Sequence, residues 1–362
     1  MQKTIKSILL VSPEPWSHLF VSKHHYAIFL AKKGYRVHFL NPPTSSGYKI
    51  SNTEYENLRV LDYSGFLKGL HLLPSKIRKK QQRNVFKRLE KLAGVSFDII
   101  WSFDNSVFYD FDALPVAIRI SHIVDLNQHF QTSRAAKSAD FCFGVTSEIV
   151  ELLSQFNSRT YKIGHGLSVP EKALSQVTLP GDGIVKALYA GNLAMKHLDW
   201  KILLEASRKN KRTDFVFIGS GKDVFDDYNE THVWKREIIK EPNVFFLQPV
   251  SSGEIHSYLR DADVLLVAYQ QKHHRDQTNS HKILEYLYSG NPIVATYTAV
   301  YEGKDLLNMV EENSNWPDLF EKIIQNLNEY QDSELRRKRI SYALNNTYKA
   351  RVDEIEKIIF QD

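Results

Sequence analysis

Asn279-Ser280-His281-Lys282-Ile283-Leu284-Glu285-Tyr286-Leu287-Tyr288-Ser289-Gly290-Asn291-Pro292-Ile293-Val294-Ala295-Thr296 contains, in order, a polar loop, a short helix, a break and a strand. Gly290-Asn291-Pro292 stops the helix, because glycine takes up the left-handed backbone of a helix end and proline cannot continue it. The apolar run after the break has the length and β-branched content of a buried strand. A loop, helix and strand in that order form one repeat of an α/β sheet, and such sheets gather polar groups at their strand ends, where ligands bind.

Working outward, the same alternation fills both halves of the chain. Strands are expected at Val185–Ala190, Asp214–Gly219, Val244–Leu247, Val264–Ala268 and Pro292–Thr296 in the second half. In the first half they are expected at Ile8–Val11, Arg36–Leu40, Leu58–Leu61, Asp98–Trp101, Val116–Ile120 and Phe141–Val145, with a helix over His24–Lys33 stopped by Gly34. Strands separated by helical stretches predict parallel, doubly wound sheets. A length of 362 residues exceeds what one core supports. Two Rossmann-like domains are therefore expected, over 1–168 and 183–344, with the Pro- and Gly-bearing stretch 169–182 as linker. The last helical stretch, about 345–362, carries Val352, Ile355, Ile358 and Ile359 on one face.

An apolar fraction of 43% and a charged fraction of 25% describe a globular chain. The one cysteine, Cys142, lies in an apolar run and reads as a core residue, in keeping with a reducing, cytoplasmic setting. No apolar run has the length of a signal peptide or a membrane span. Residues 1–170 hold 22 Lys and Arg against 13 Asp and Glu, so the net positive charge lies in the first half. Much of it lies in 76–91, where Ile77, Val85, Phe86 and Leu89 form a sparse apolar stripe among cations. Such a helix suits peripheral contact with anionic lipid or an acidic acceptor, and equally an ordinary solvated face. No nucleic-acid module is recognisable.

Several short motifs fall at predicted strand ends. In Tyr189-Ala190-Gly191-Asn192-Leu193-Ala194-Met195-Lys196, a glycine lets backbone amides approach a phosphate and a lysine follows to neutralise it. Ile218-Gly219-Ser220-Gly221-Lys222 is a second glycine turn without the spacing of a P-loop. Neither half has the dinucleotide fingerprint after its first strand, which argues against a nicotinamide dehydrogenase. His273 and His274 lack further ligands at metal spacing, so no metal is expected. Ser121-His122-Ile123-Val124-Asp125 follows a predicted strand, and both His122 and Asp125 are expected at its C-terminal end. Asp125 is either a general base or the N-cap of the next helix.

The segment around Glu285, read with the glycine turns, resembles the nucleotide-sugar segment of GT-B glycosyltransferases, especially the family-four type of bacterial polysaccharide and glycolipid assembly. The resemblance implies a GT-B architecture, with two Rossmann-like domains whose parallel sheets face a central cleft and a terminal helix returning to the first domain. It assigns Glu285 to the donor ribose, with Gln277 where relatives often have a second Glu. Backbone amides near Gly191 and Asn192, with Lys196 and Lys282, would hold the diphosphate, and Gly219 and Gly221 would wall the nucleotide pocket. Tyr269, Ser280 and His281 fall where relatives hold the base and the donor sugar. Asp125, and next His122, are the implied catalytic groups on the acceptor side. Landmarks at Gly164-His165-Gly166 and Asn345-Asn346-Thr347-Tyr348 also match, with Tyr348 in place of the usual Trp. The implied activity is transfer of a sugar from a nucleoside-diphosphate donor to a glycan or lipid-linked acceptor, without cofactor. A nucleotide-sugar epimerase of the same fold, or a non-catalytic nucleotide-binding partner subunit, are the alternatives.

Overall fold

In a computed structural model, which describes residues 6–18, 20–125, 130–170, 173–225, 231–274 and 280–361, the chain forms two compact units. One comprises Met1–Gly166 and Tyr348–Asp362, the other Leu167–Thr347. Gln277 lies outside the described residues.

The first unit is an eight-stranded sheet of β1 (Ser7–Val11), β2 (Arg36–Leu40), β3 (Lys49–Asn52), β4 (Leu58–Asp62), β5 (Ile99–Ser102), β6 (Ile118–Ile123), β7 (Phe141–Gly144) and β8 (Thr160–Lys162), in the order 3-4-2-1-5-6-7-8. All pairings are parallel except that of β3 with β4. The connecting helices are α1 (Ser22–Lys32), α2 (Ser75–Ala93), α3 (Thr132–Ser138) and α4 (Ser147–Ser154). Successive strand residues point to opposite faces, so Ile8 and Leu10 pack with α1 while Leu9 and Val11 pack with α2. A sheet covered on both faces explains why its central strands read as continuous apolar runs.

The second unit is a six-stranded parallel sheet of β9 (Val185–Ala190), β10 (Thr213–Ile218), β11 (Val244–Leu247), β12 (Val264–Val267), β13 (Ile293–Thr296) and β14 (Asn308–Val310), in the order 11-10-9-12-13-14. Its helices are α5 (Trp200–Lys209), α6 (Thr231–Ile238), α7 (Ile255–Asp261), α8 (Lys282–Ser289), α9 (Trp316–Gln325), α10 (Leu327–Tyr330) and α11 (Ser333–Asn345). Strand order reverses between β9 and β12, and a reversal of that kind is the switch point at which open α/β sheets bind ligands. The chain closes with α12 (Tyr348–Gln361), whose Val352 and Ile355 enter the first unit's core against α1.

Several expectations are corrected. The stretch 169–182 falls inside the second unit, with Leu179 in its core. The last helical stretch, expected over about 345–362, is α12, which starts after a break at Asn346-Thr347 where the Leu167 amide donates to the Asn346 carbonyl at 2.7 Å. Gly166 lies so close to Tyr348 that a Cβ on it would stand 2.6 Å from the Tyr348 nitrogen. The apolar stripe of α2 is not free, because Val85, Phe86 and Leu89 are buried in the first unit's core. Arg78 of the same helix is buried in a bidentate pair with Asp110, one arm 3.0 Å long, and Gln82 donates to the same carboxylate at 2.9 Å. Edge strands β3, β8 and β14 were not expected. They are short and lie at sheet margins, where half-polar sequences carry little periodic signal.

Candidate functional site

The C-terminal ends of β9, β10 and β12, with the start of α8, bring the second unit's chemistry together. Gly191 follows β9 directly and has φ +149°, a conformation that L side chains rarely adopt. A Cβ there would stand 3.1 Å from the Tyr189 Oη and 3.5 Å from the Lys282 Nζ. The backbone of the glycine turn thus covers the Lys282 ammonium directly. Lys282 is 7% exposed, and its Nζ lies 3.8 Å from the Tyr189 ring centroid, 5.0 Å from that of Tyr269 and 6.0 Å from that of Tyr286. Such a cage of π faces tolerates a cation without neutralising it. Burial pushes the ammonium down to about 7 despite the opposing pull of Glu285. Among the described residues it makes no ion pair, so the charge is available to an incoming anion.

Glu285 follows Lys282 by three positions and therefore shares its face of α8. It is half-buried, and desolvation pushes its carboxyl up to about 7 against the favourable field of Lys282. Tyr286 locks the helix onto the sheet: its Oη accepts from the Ala190 amide at 2.8 Å and donates to the Ala190 carbonyl at 3.3 Å.

The second glycine turn explains itself sterically. Gly219 has φ +153°, and a Cβ on it would stand 1.8 Å from the Gly191 carbonyl oxygen. At Gly221 a Cβ would stand 2.6 Å from the Ala194 nitrogen. The two loops are stitched by the Leu193 amide donating to the Ser220 carbonyl at 2.7 Å. These glycines therefore let one loop support the other.

The remaining expected residues are dispersed. Asn192 is exposed, and its Oδ1 accepts from the Ala194 amide at 2.9 Å, which shapes the turn. Lys196 is exposed, and its carbonyl accepts from Gln270 at 3.2 Å. The Tyr269 Oη donates to Ser280 at 3.3 Å, whereas His281 stands exposed at the N-cap of α8. His273 stacks on His197 at 4.0 Å and His274 bonds to Asn313 at 3.1 Å. Among the described residues no three His, Cys, Asp or Glu side chains cluster to hold a metal ion.

One residue that sequence reasoning missed is Lys235 of α6. It is wholly buried, and its ammonium donates to the carbonyls of Gly221 and of Val224, the latter at 3.0 Å. Burial lowers it to about 8. A lysine on a polar helix reads as solvated, and only its seat under the glycine turn gives it a role. Lys235→Met is expected to loosen that turn and weaken nucleotide-diphosphate affinity by roughly 5- to 30-fold, the equivalent of about 1–2 kcal/mol of charge-assisted hydrogen bonding. Calorimetric titration checks it, and unchanged affinity would limit Lys235 to packing.

In the first unit the structure separates the two expected acceptor-side residues. His122 lies inside β6, which runs three residues beyond the expected strand end. It is wholly buried, its Nδ1 accepts from the Trp101 indole at 3.3 Å, and its ring stacks on Phe103 at 4.7 Å. Burial, with smaller effects of His165 and Lys23, pushes it down to about 3, so it is a neutral core side chain. Asp125 retains solvent contact and does not cap α3, whose N-cap is Gln131. Partial desolvation holds its carboxyl above the usual range, with Lys23 opposing and Glu14 adding to the shift. Lys23 is itself buried and paired to Glu14 at 2.8 Å. That Glu14–Lys23 pair was not anticipated, since its partners lie on separate elements. His165 bonds through Nδ1 to Ser22 at 3.0 Å. Cys142 is a core thiol, pushed up to about 12 by burial.

With this geometry in place, comparison with known proteins defines the class. Residues 185–329 match the family described as Glycosyl transferases group 1. Sucrose-phosphate synthase from Thermosynechococcus elongatus superposes with a TM-score of 0.72 at 14% identity over 98% of both chains. Anabaena HepE in complex with UDP superposes with a TM-score of 0.64 at 13% identity over 99% of this chain and 100% of that one. The match to that family thus lies within the second unit, and the chain has the GT-B fold of two Rossmann-like domains. Among curated proteins, TuaH of Bacillus subtilis, a glycosyltransferase assigned by inference to teichuronic acid biosynthesis, is 24% identical over 155 residues. That match covers 41% of this chain and 37% of TuaH.

Proposed function

We propose that the protein is a glycosyltransferase that moves a sugar from a nucleoside-diphosphate donor to a hydroxyl of a glycan or glycolipid in cell-surface polysaccharide assembly. The observation that carries this reading is the buried Lys282 ammonium under the Gly191 turn, with Glu285 one turn further along the helix. Backbone amides at a glycine turn and a desolvated cation suit a diphosphate, whose charge grows as the nucleotide leaves. Glu285 would accept hydrogen bonds from the ribose hydroxyls. Exposed Lys196 would add charge at the rim of the site. On the acceptor side Asp125 is the group for deprotonating the incoming hydroxyl, its carboxyl made a stronger proton acceptor by partial desolvation. No metal is required in this scheme, because fixed cations and amides supply the neutralisation. The match to TuaH supports the polysaccharide setting, and the exposed lysines of α2 support work at the inner, cytoplasmic face of a membrane.

Thermal-shift titration against UDP, GDP, ADP, CDP and dTDP tests the donor site, since a true ligand stabilises the folded state by mass action. Glu285→Ala is expected to weaken the preferred nucleotide by roughly 10- to 100-fold, about 1.5–3 kcal/mol, with the fold intact. Unchanged affinity would remove the ribose assignment. Incubation with donor alone separates transfer from epimerisation, which needs no acceptor.

A further inference from the structure

Residues after β4 and β5 in the first unit, with Phe130, line an open cavity of about 230 Å³. Phe66, Leu67, Leu70, Val107, Tyr109 and Phe130 supply its apolar lining. Two of these side chains also stand in water, Leu67 at 64% exposure and Phe130 at 48%. Leu72, at 78%, and Ile77, at 48%, are exposed as well, the one in the turn that holds Leu70 and the other in the first turn of α2. The patch is held together locally, with the His71 ring edge-on to Phe130 at 5.0 Å and Arg134 donating to the His71 carbonyl at 3.2 Å.

Bulky apolar side chains exposed this close together mark a surface meant to be covered. The charges around them indicate by what. Between Asp62 and Glu90 the chain has no acidic residue. Lys68, Lys76 and Lys80 are exposed on the same stretch of chain, while Arg78 and Lys79 are engaged by Asp110 and Asp112. Further along α2, Lys87, Arg88 and Lys91 are exposed as well. Val85, Phe86 and Leu89 of the helix are spent on the core, so the side chains left to enter an apolar phase are Ile77, those of the preceding loop and Phe130. Exposed apolar side chains interspersed along the chain with exposed lysines match a layer that is anionic at its surface and apolar just beneath.

We propose that the patch of Leu67, Leu72, Ile77 and Phe130, with Lys68, Lys76 and Lys80, docks the protein on an anionic lipid bilayer. On the transferase reading, from which this clause follows, the acceptor is lipid-linked and meets the enzyme at that bilayer. The four apolar side chains insert below the headgroups, and the lysines pair with lipid phosphates.

The test is co-sedimentation of the full chain with vesicles of phosphatidylglycerol and phosphatidylcholine, and with phosphatidylcholine alone. The wild type is expected to partition onto the anionic vesicles only. A double variant, Leu72→Glu with Ile77→Glu, is expected to lose at least tenfold in partitioning at every salt concentration. A triple variant, Lys68→Gln, Lys76→Gln and Lys80→Gln, is expected to lose as much at low salt and to lack the wild type's salt dependence. All substituted side chains are exposed, so both variants should keep the wild-type Tm and nucleotide-induced shift. The proposal is overturned if the wild type stays in the supernatant with anionic vesicles, or if both variants partition as it does. A wild type that binds vesicles but responds to no nucleotide would uphold the docking surface and strike the transferase reading alone.

Discussion

Lys282→Met is expected to lower kcat by about 10²–10³-fold, the range seen when one preorganised stabiliser of developing negative charge is removed. The variant should at the same time be more stable than the wild type. Methionine keeps the length and apolar stem that fill the cage of Tyr189, Tyr269 and Tyr286, and it relieves the cost of burying an ammonium. A rise in Tm with a loss of turnover distinguishes a functional charge from a structural one. The pH dependence adds a second signature. Burial holds the free ammonium near 7, whereas a bound diphosphate would raise it, so binding takes up a proton above that pH. Wild-type affinity should therefore fall as pH rises above about 7, and the variant should lack that slope. Glu285 titrates in the same range and loses the favourable field of Lys282 in the variant, which moves its own titration upward there, so the difference between the two proteins reads the pair. A variant that loses Tm and keeps its nucleotide affinity would contradict this account.

The second large effect is expected at Gly219. Gly219→Ala would set a Cβ 1.8 Å from the Gly191 carbonyl, against backbone that no small rotation frees. It would also force alanine into φ +153°. Crowding and backbone strain together are expected to destabilise the second unit by roughly 3–5 kcal/mol. Nucleotide binding should fail with it, because the loop that must move is the one covering Lys282. Gly253→Ala is the control, since a Cβ there meets nothing within 4 Å. Chemical denaturation of the two variants measures the contrast, and comparable stabilities would show that the glycine turns yield more easily than their geometry implies.

Much of this arrangement is legible in the sequence, and the limits of legibility are physical. The helix before Gly290-Asn291-Pro292 is readable because its stop signals are local, and Lys282 and Glu285 follow from their places on it. Gly191 and Gly219 are recognisable because each directly follows a strong strand pattern. Three things escape. The aromatic cage around Lys282 draws on β9, β12 and α8, and tyrosines in apolar runs read as core. Lys235 carries no mark that separates a buried ammonium from a solvated one. The fate of His122 turns on where β6 ends: a strand that reaches Ile123 pairs His122 with Phe143 inside the sheet, whereas one ending at Ile120 would have left it at the rim. Strand ends depend on pairing with a distant neighbour, which no local window contains. The basic stretch 76–91 shows the same limit, since Val85, Phe86 and Leu89 of its apolar stripe are already covered by the first unit's core while Ile77 stays exposed.

The central claim is that a nucleoside diphosphate lies over the Gly191 turn, with its phosphates on Lys282 and its ribose on Glu285. The most direct measurement is a crystal structure of the full chain grown with whichever of UDP, GDP, ADP, CDP or dTDP raises Tm most. The account predicts diphosphate oxygens within hydrogen-bond distance of the Lys282 Nζ and ribose hydroxyls on the Glu285 carboxylate. A nucleotide bound with neither contact would contradict it.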